Sequence, residues 1–266
     1  MTSRRRPFRA GRGVAAILVV AVIAAVALAR HLREPRLTPE LRGQQLAARL
    51  GCFGCHGPGG TGGVANPLSD EKEVPAWDGG TAMMYVESEE EIREWIWDGR
   101  PRRLAQRDGG RGVGAGEPDS LPTLPLRMPA YSDVLSEREL GDLVAYYKAV
   151  ADYGPMPQDA RAGYRAAQRL GCFGCHGPGG LLGASNPRAF KGYIPPWRGG
   201  DFAELVKDDD ELRAWILDGR IERFEKNPLA RHFTRRQLVG MPAYRDVLAE
   251  GELDALVAYI DRVSSR

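Results

Sequence analysis

The decapeptide GCFGCHGPGG stands at residues 51–60 and again, letter for letter, at residues 171–180. A chain that repeats two cysteines and a histidine at fixed spacing builds each copy around the same chemistry, so the extent of the repeat comes first. At an offset of 120 residues Gly43 aligns with Gly163, Asn66-Pro67 with Asn186-Pro187, Trp77 with Trp197, and EIREWIWDGR (91–100) with ELRAWILDGR (211–220). The offset then falls to 113, where MPAY (128–131) meets MPAY (241–244) and LVAYY (143–147) meets LVAYI (256–260). One seven-residue insertion separates two collinear copies, each of about 110 residues and so of ordinary domain size. The reading is two tandem domains, 38–150 and 159–266, joined by a linker at 151–158 that two prolines stiffen.

Ahead of the first copy, residues 1–12 form a basic N-terminus with five arginines and no acid. The run GVAAILVVAVIAAVALA (13–29) follows without a charge. At 1.5 Å per residue it spans about 25 Å, the short end for a transmembrane helix. A cleavable signal peptide is the rival, because Ala27-Leu28-Ala29 fits the small-x-small cleavage pattern. The run exceeds the usual signal core, which favours a retained anchor. On either reading the arginines stay inside. Residues 30–266 are then expected on the periplasmic or outer side of a bacterial cytoplasmic membrane.

The formal net charge of +2 is unevenly spread: residues 1–37 carry +7, the first domain −6 and the second +2. Neither domain is basic enough for nucleic acid. With 43% hydrophobic and 27% charged residues, the composition is that of ordinary packed domains.

All four cysteines lie in the duplicated decapeptides. In an exported chain they raise two disulfides or a four-thiolate zinc site as alternatives. Neither accounts for His56 and His176, each directly after a second cysteine. C-x-x-C-H is the attachment signature of c-type haem. Thiols three residues apart on a helical turn reach the two vinyl groups of one porphyrin, and the next residue turns its imidazole toward the iron. Two such motifs behind an export signal point to two covalently bound haem c groups.

The sixth iron ligand decides between electron transfer and chemistry. Each copy offers one methionine at a matching place, Met128 and Met241, ahead of a proline that holds it out of helix. Met83 and Met84 align with Ala203 and Glu204, and Met156 lies in the linker. Core filling is the commoner fate of a methionine, but only Met128 and Met241 recur. His232 competes in the second domain from the stretch between Arg220 and Met241, read as a loop with an exposed histidine. His31 is too close to the membrane segment. Trp77 and Trp197 either pack in the cores or point their indole N–H groups at haem propionates.

Helices surround these residues. Thr38-Pro39-Glu40 opens one that runs to the first motif. Ser88-x-x-Glu91 and Asp208-x-x-Glu211 cap the middle helices, which Gly99 and Gly219 end. Ser136-x-x-Glu139 starts a last helix with Leu140, Leu143, Val144 and Tyr147 on one stripe, matched by Leu253, Leu256, Val257 and Ile260. No alternating strand of useful length is present, and the fold class is all-α.

These features resemble the class I c-type cytochromes, in tandem as a membrane-anchored di-haem protein. The resemblance covers Thr38 to Val150 and Asp159 to Val263 and rests on CFGCH (52–56, 172–176), the MPAY methionines and the paired terminal helices. It implies two cytochrome c-like domains after a transmembrane helix. Cys52, Cys55, Cys172 and Cys175 would be the thioether sites, His56 and His176 the proximal ligands, and Met128 and Met241 the distal ones. It also implies that first and last helices cross at Gly43 and Gly163 against Tyr146 and Tyr259. The glycine-rich RDGGRGVGAGEPDSLPTLP (107–125) departs from the family pattern and covers or remodels that haem edge.

An iron with six protein and porphyrin ligands exchanges electrons and has no place for a substrate. The expected function is a relay of single electrons between a respiratory donor and a terminal acceptor, with redox complexes as partners and no catalytic residue. Methionine sulfur favours Fe(II), so both potentials are expected to be positive. The alternatives are a di-haem cytochrome c peroxidase-like enzyme, which needs one open iron, and a cytochrome subunit of a dehydrogenase complex.

Overall fold

A computed structural model describes residues 10–67, 69, 72–78, 80, 82–107, 126–153, 156 and 158–264. The glycine-rich stretch expected to modify the first crevice lies, beyond its first residue, outside the described residues. Helix α1 (Ala10–Arg33) is followed in the first domain by α2 (Pro39–Arg49), α3 (Phe53–His56), α4 (Ala82–Tyr85), α5 (Glu89–Asp98), α6 (Arg102–Arg107) and α7 (Glu137–Ala151). The second domain holds α8 (Gln158–Arg169), α9 (Phe173–His176), α10 (Gly199–Leu205), α11 (Asp209–Asp218), α12 (Glu222–Lys226), α13 (Pro228–Arg236) and α14 (Glu252–Ser264). Among the described residues there is no strand, only the isolated bridges Ala65 to Glu73 and Ser185 to Tyr193.

The caps are where short polar side chains place them. Thr38, Ser88 and Asp208 accept from the backbone N–H groups of Leu41, Glu91 and Glu211. Ser136 makes a full capping box, its hydroxyl accepting from Glu139 N while the Glu139 carboxylate accepts from Ser136 N at 3.0 Å. Ser136→Ala should destabilise the first domain by about 1 kcal/mol, read as a lower denaturant midpoint with the slope unchanged.

Each domain is closed by its first and last helices. α2 crosses α7 with no side chain between them at Gly43, where a Cβ would lie 1.9 Å from Asp142 O. α8 crosses α14 at Gly163 in the same way, 2.0 Å from Ala255 O and 2.6 Å from Tyr259 Cβ. The tyrosines that the resemblance placed opposite these glycines are therefore there. Tyr146 Oη donates to Gly59 O at 2.9 Å and Tyr259 Oη to Gly179 O at 3.0 Å, tying the last helix to the turn after each motif.

α1 is longer than the sequence run. Its span from Gly13 to Arg33 counts 21 residues, about 30 Å of helix, and its side chains are exposed throughout. By length and composition it can cross a membrane, which supports anchoring. The connector is shorter than 151–158, because α7 continues through Ala151 and stops at the left-handed Asp152, and α8 begins at Gln158.

The two domains touch. Leu182, just past the second motif, is buried with the core of the first domain. Arg198 Nη1 in the second domain donates to Glu40 Oε1 in the first at 2.8 Å. Asp201, 4% exposed, accepts from Arg36 N at 2.9 Å, Lys191 Nζ at 2.5 Å and Tyr193 Oη at 2.7 Å. Burial pushes the Asp201 carboxyl up, but these three donors outweigh it and hold it below its ordinary value. Its contribution is thus fully present above the unfolded value of about 4 and is lost as pH falls below that through the folded value. Asp201→Asn should cost about 2 kcal/mol at neutral pH and remove part of the acid destabilisation, both measurable by denaturant titration across pH.

Candidate functional site

Each motif is wound into one turn by the helix before it. α2 ends at Arg49 with Leu50 as its cap, the chain turns through the left-handed Gly51, and His56 N donates to Cys52 O at 3.0 Å. The second copy repeats this with α8, Gly171 and the His176 N to Cys172 O bond at 3.0 Å. Cysteines three residues apart on such a turn share a face.

The histidine rings are oriented by carbonyls. His56 Nδ1 lies 2.9 Å from Pro75 O, and His176 Nδ1 lies 3.0 Å from Pro195 O. A carbonyl only accepts, so Nδ1 carries the proton and Nε2 keeps its lone pair. Burial lowers both imidazole pKa values against a smaller opposing effect of the carbonyl, which keeps the rings neutral. Trp77 packs 4.9 Å from the His56 ring and Trp197 5.1 Å from the His176 ring, both tilted by 39°. Their backbone N–H groups donate to Gly60 O and Gly180 O. Each tryptophan thus packs against the imidazole of its own motif.

The methionine loops are fastened to the ends of the middle helices. Gly99 and Gly219 cap α5 and α11 in the left-handed conformation, and a Cβ there would lie 2.6 Å from Met128 O and 2.2 Å from Met241 O. The last carbonyls of those helices then find donors in the loop: Tyr131 N to Ile96 O at 3.2 Å, and Tyr244 N to Ile216 O at 3.1 Å. The following tyrosines return to the motifs, for the Tyr131 hydroxyl contacts the Cys52 thiol and the Tyr244 hydroxyl the Cys172 thiol. Burial pushes both thiols up and Tyr244 up to about 12. Met128 and Met241 pack against the first and second cores.

Asn66 and Asn186 recur in the sequence without having been assigned a role. Asn186 Oδ1 accepts from Leu238 N at 3.0 Å and Val239 N at 3.2 Å, and its Nδ2 donates to Val239 O at 2.9 Å. Asn66 Nδ2 donates to Leu126 O at 3.3 Å. Each buried asparagine therefore pins the loop after the motif to the segment entering the methionine. Their recurrence at the 120-residue offset was the available signal.

The four cysteines are free thiols, and among the described residues no three His, Cys, Asp or Glu side chains converge on a metal position. The two pairs lie in different domains, which does not suit the four-thiolate zinc alternative. In each domain a thiol pair on one turn, an imidazole with Nε2 available and a thioether on a pinned loop packed against the same core are a donor set that fits haem c.

Comparison with known families agrees. Residues 41–151 match the family Cytochrome c, and residues 158–260 match Cytochrome C oxidase, cbb3-type, subunit III. The chain belongs to the c-type cytochromes. It carries two cytochrome c domains in tandem, which imply covalently bound haem c and electron transfer. The cytochrome is 30% identical over 127 residues to a cytochrome c oxidase subunit 2 of Alkalihalophilus pseudofirmus, covering 46% of this chain and 29% of that protein. The chain thus spans under a third of that relative's length. No solved structure matched it.

One expectation around the cytochrome's second crevice is corrected. The stretch between Arg220 and Met241 is no loop: it forms α12 and α13, the latter started by Asn227, whose Oδ1 accepts from Leu229 N at 2.9 Å and Ala230 N at 3.1 Å. The competing His232 sits exposed on α13, and His31 lies in α1.

Proposed function

We propose that this cytochrome is a di-haem relay, passing single electrons between a respiratory donor and a terminal acceptor outside the cytoplasmic membrane to which α1 holds it. In this reading Cys52 and Cys55 hold one haem c and Cys172 and Cys175 the other. His56 and His176 bind through Nε2, and Met128 and Met241 supply the sulfurs that fill the remaining positions. Bound in this way, haem c supplies a one-electron iron couple with no position for an outside ligand. The chain's own work is to hold those donors still. Pro75 and Pro195 fix the imidazoles, and the carbonyls of Ile96 and Ile216 fix the loops.

The observation that carries this reading is that the two copies hold their histidine, tryptophan and methionine loop alike. A peroxidase-like enzyme needs one site built differently, yet the histidine anchor, the tryptophan against it and the methionine loop are the same in both. The fixed contact between domains, through Leu182 and the Arg198 to Glu40 bond, suits transfer from one haem to the other. Of the three matched names two are oxidase subunits and one is Cytochrome c, and a terminal oxidase is the acceptor class they favour. The same matches favour, as the second reading, a cytochrome subunit within a larger respiratory complex.

Mixing the dithionite-reduced protein with carbon monoxide tests the relay. The expected result is two haems per chain and no rapid spectral change. Prompt binding at one haem overturns the relay in favour of the peroxidase-like alternative.

A further inference from the structure

Helix α13 is the feature that the two crevices leave unexplained. Its sequence PLARHFTRR contains four basic residues and no acid, and it stands where the two copies lose their alignment. Arg231, His232, Arg235 and Arg236 are all exposed. Leu229 on α13 is 61% exposed and Leu238, two residues past its end, 60% exposed, so exposed apolar side chains flank the cationic ones along this segment. Arg235 faces Glu225 at 3.7 Å, while among the described residues Arg231, His232 and Arg236 have no acidic partner.

The position of this surface is set by α1. Arg33, the last residue of α1, places its guanidinium 5.6 Å from the centre of the Phe233 ring on α13. Its Nε donates to Phe190 O at 3.1 Å, and Phe190 stacks edge-on against Phe233 at 5.1 Å. The uncharged run of α1 ends at Ala29, four residues earlier. Four residues of helix advance about 6 Å, and a headgroup layer is about 5–8 Å thick on each side of the hydrocarbon. α13 is therefore tied to the chain at headgroup depth.

We infer that α13 is an interfacial helix that rests on anionic phospholipid headgroups around the anchor, with Arg231, Arg235 and Arg236 on the phosphates and Leu229 and Leu238 entering the acyl boundary. The inference rests on the reading of α1 as a retained anchor. Basic residues near an anionic surface attract it individually, and exposed leucines add burial that a purely electrostatic contact lacks. An acidic protein surface could meet the arginines, but the tie to Arg33 puts lipid within reach of every copy. The consequence is orientation: the second domain is held down on the membrane.

The test is amide hydrogen exchange on the full-length haem-loaded protein in lipid nanodiscs, one set of phosphatidylcholine alone and one containing phosphatidylglycerol. Amides of residues 229–239 are expected to exchange about tenfold more slowly with phosphatidylglycerol present. The triple variant Arg231→Glu, Arg235→Glu, Arg236→Glu is expected to lose that difference while its haem spectrum stays as in the wild type. Equal exchange of the wild type in both lipids, with residues 13–29 protected, overturns the inference and leaves the anchor standing. Residues 13–29 missing from the membrane-bound protein, or unprotected, overturn both. Slowing by soluble polyglutamate in phosphatidylcholine discs, with none from phosphatidylglycerol, overturns the lipid assignment and gives the surface to an acidic protein.

Discussion

Gly163→Val is expected to cost the second domain at least about 3 kcal/mol and to lower its haem content in cells, with the first domain's unfolding far less affected. The reason is that the new side chain meets backbone. Its Cβ alone would lie 2.0 Å from Ala255 O and 2.6 Å from Tyr259 Cβ, so α8 and α14 must separate. They are not free to do so. Tyr259 is tied through its hydroxyl to Gly179 O, and Arg169 pairs with Glu252 at the other end of the crossing. Separation therefore also shifts the turn that follows His176. A control uses a glycine whose surroundings are open: at Gly141 in α7 an added methyl group would meet nothing within 4 Å, and Gly141→Ala should stabilise the first domain by about 0.5–1 kcal/mol. Denaturant titrations followed by circular dichroism and haem absorption read both changes. A Gly163→Val protein that melts with the wild type would mean that the helices do not cross in close contact.

Residues whose chemistry acts over short distances in the chain were legible from the sequence. Thr38, Ser88, Ser136 and Asp208 cap helices because a short side-chain oxygen reaches an N–H group two or three residues on, and that needs no tertiary information. Gly99 and Gly219 end helices for an equally local reason. What could not be read depends on neighbours distant in sequence. α13 opens on Asn227-Pro228, a start signal of the same kind as Thr38-Pro39, but it buries no residue, and its partners, Phe190 and Arg33, lie far away along the chain, so no apolar stripe marks it as packed. The domain contact is equally silent, since Glu40 meets Arg198 across 158 residues and no periodicity announces it. Of the crevices, the motif and the methionine stood out by residue type. The asparagines and the imidazole-facing side of the tryptophans emerged only with the fold, because an amide or an indole has many possible uses until its neighbours are known.

Removing the sulfur without disturbing its loop separates coordination from stability, and this makes Met241→Ala the most informative change in the molecule. The loop is held by backbone groups, Tyr244 N on Ile216 O and Arg245 N on Leu217 O, and by Asn186, none of which involves the methionine side chain. The backbone of the variant is therefore expected to stay in place, and the change is felt at the iron. Loss of the soft donor should abolish half of the far-red band of sulfur-bound ferric haem, open one haem to carbon monoxide, and lower that haem's potential by on the order of 0.1 V, within the roughly 0.8 V that axial ligands span. Met128→Ala should do the same to the other haem, and the double variant should lose the band altogether. Met84→Ala is the control, because that side chain is 69% exposed and has no counterpart in the second copy. Redox titration with optical detection resolves the two haems, and stopped-flow mixing with carbon monoxide counts the open ones. A double variant that keeps the band undiminished would show that the sulfurs are packing groups, and the closed relay would have to give way to another sixth ligand. An intact band in the wild type together with loss in both single variants would instead leave electron exchange as the one reaction available to either iron.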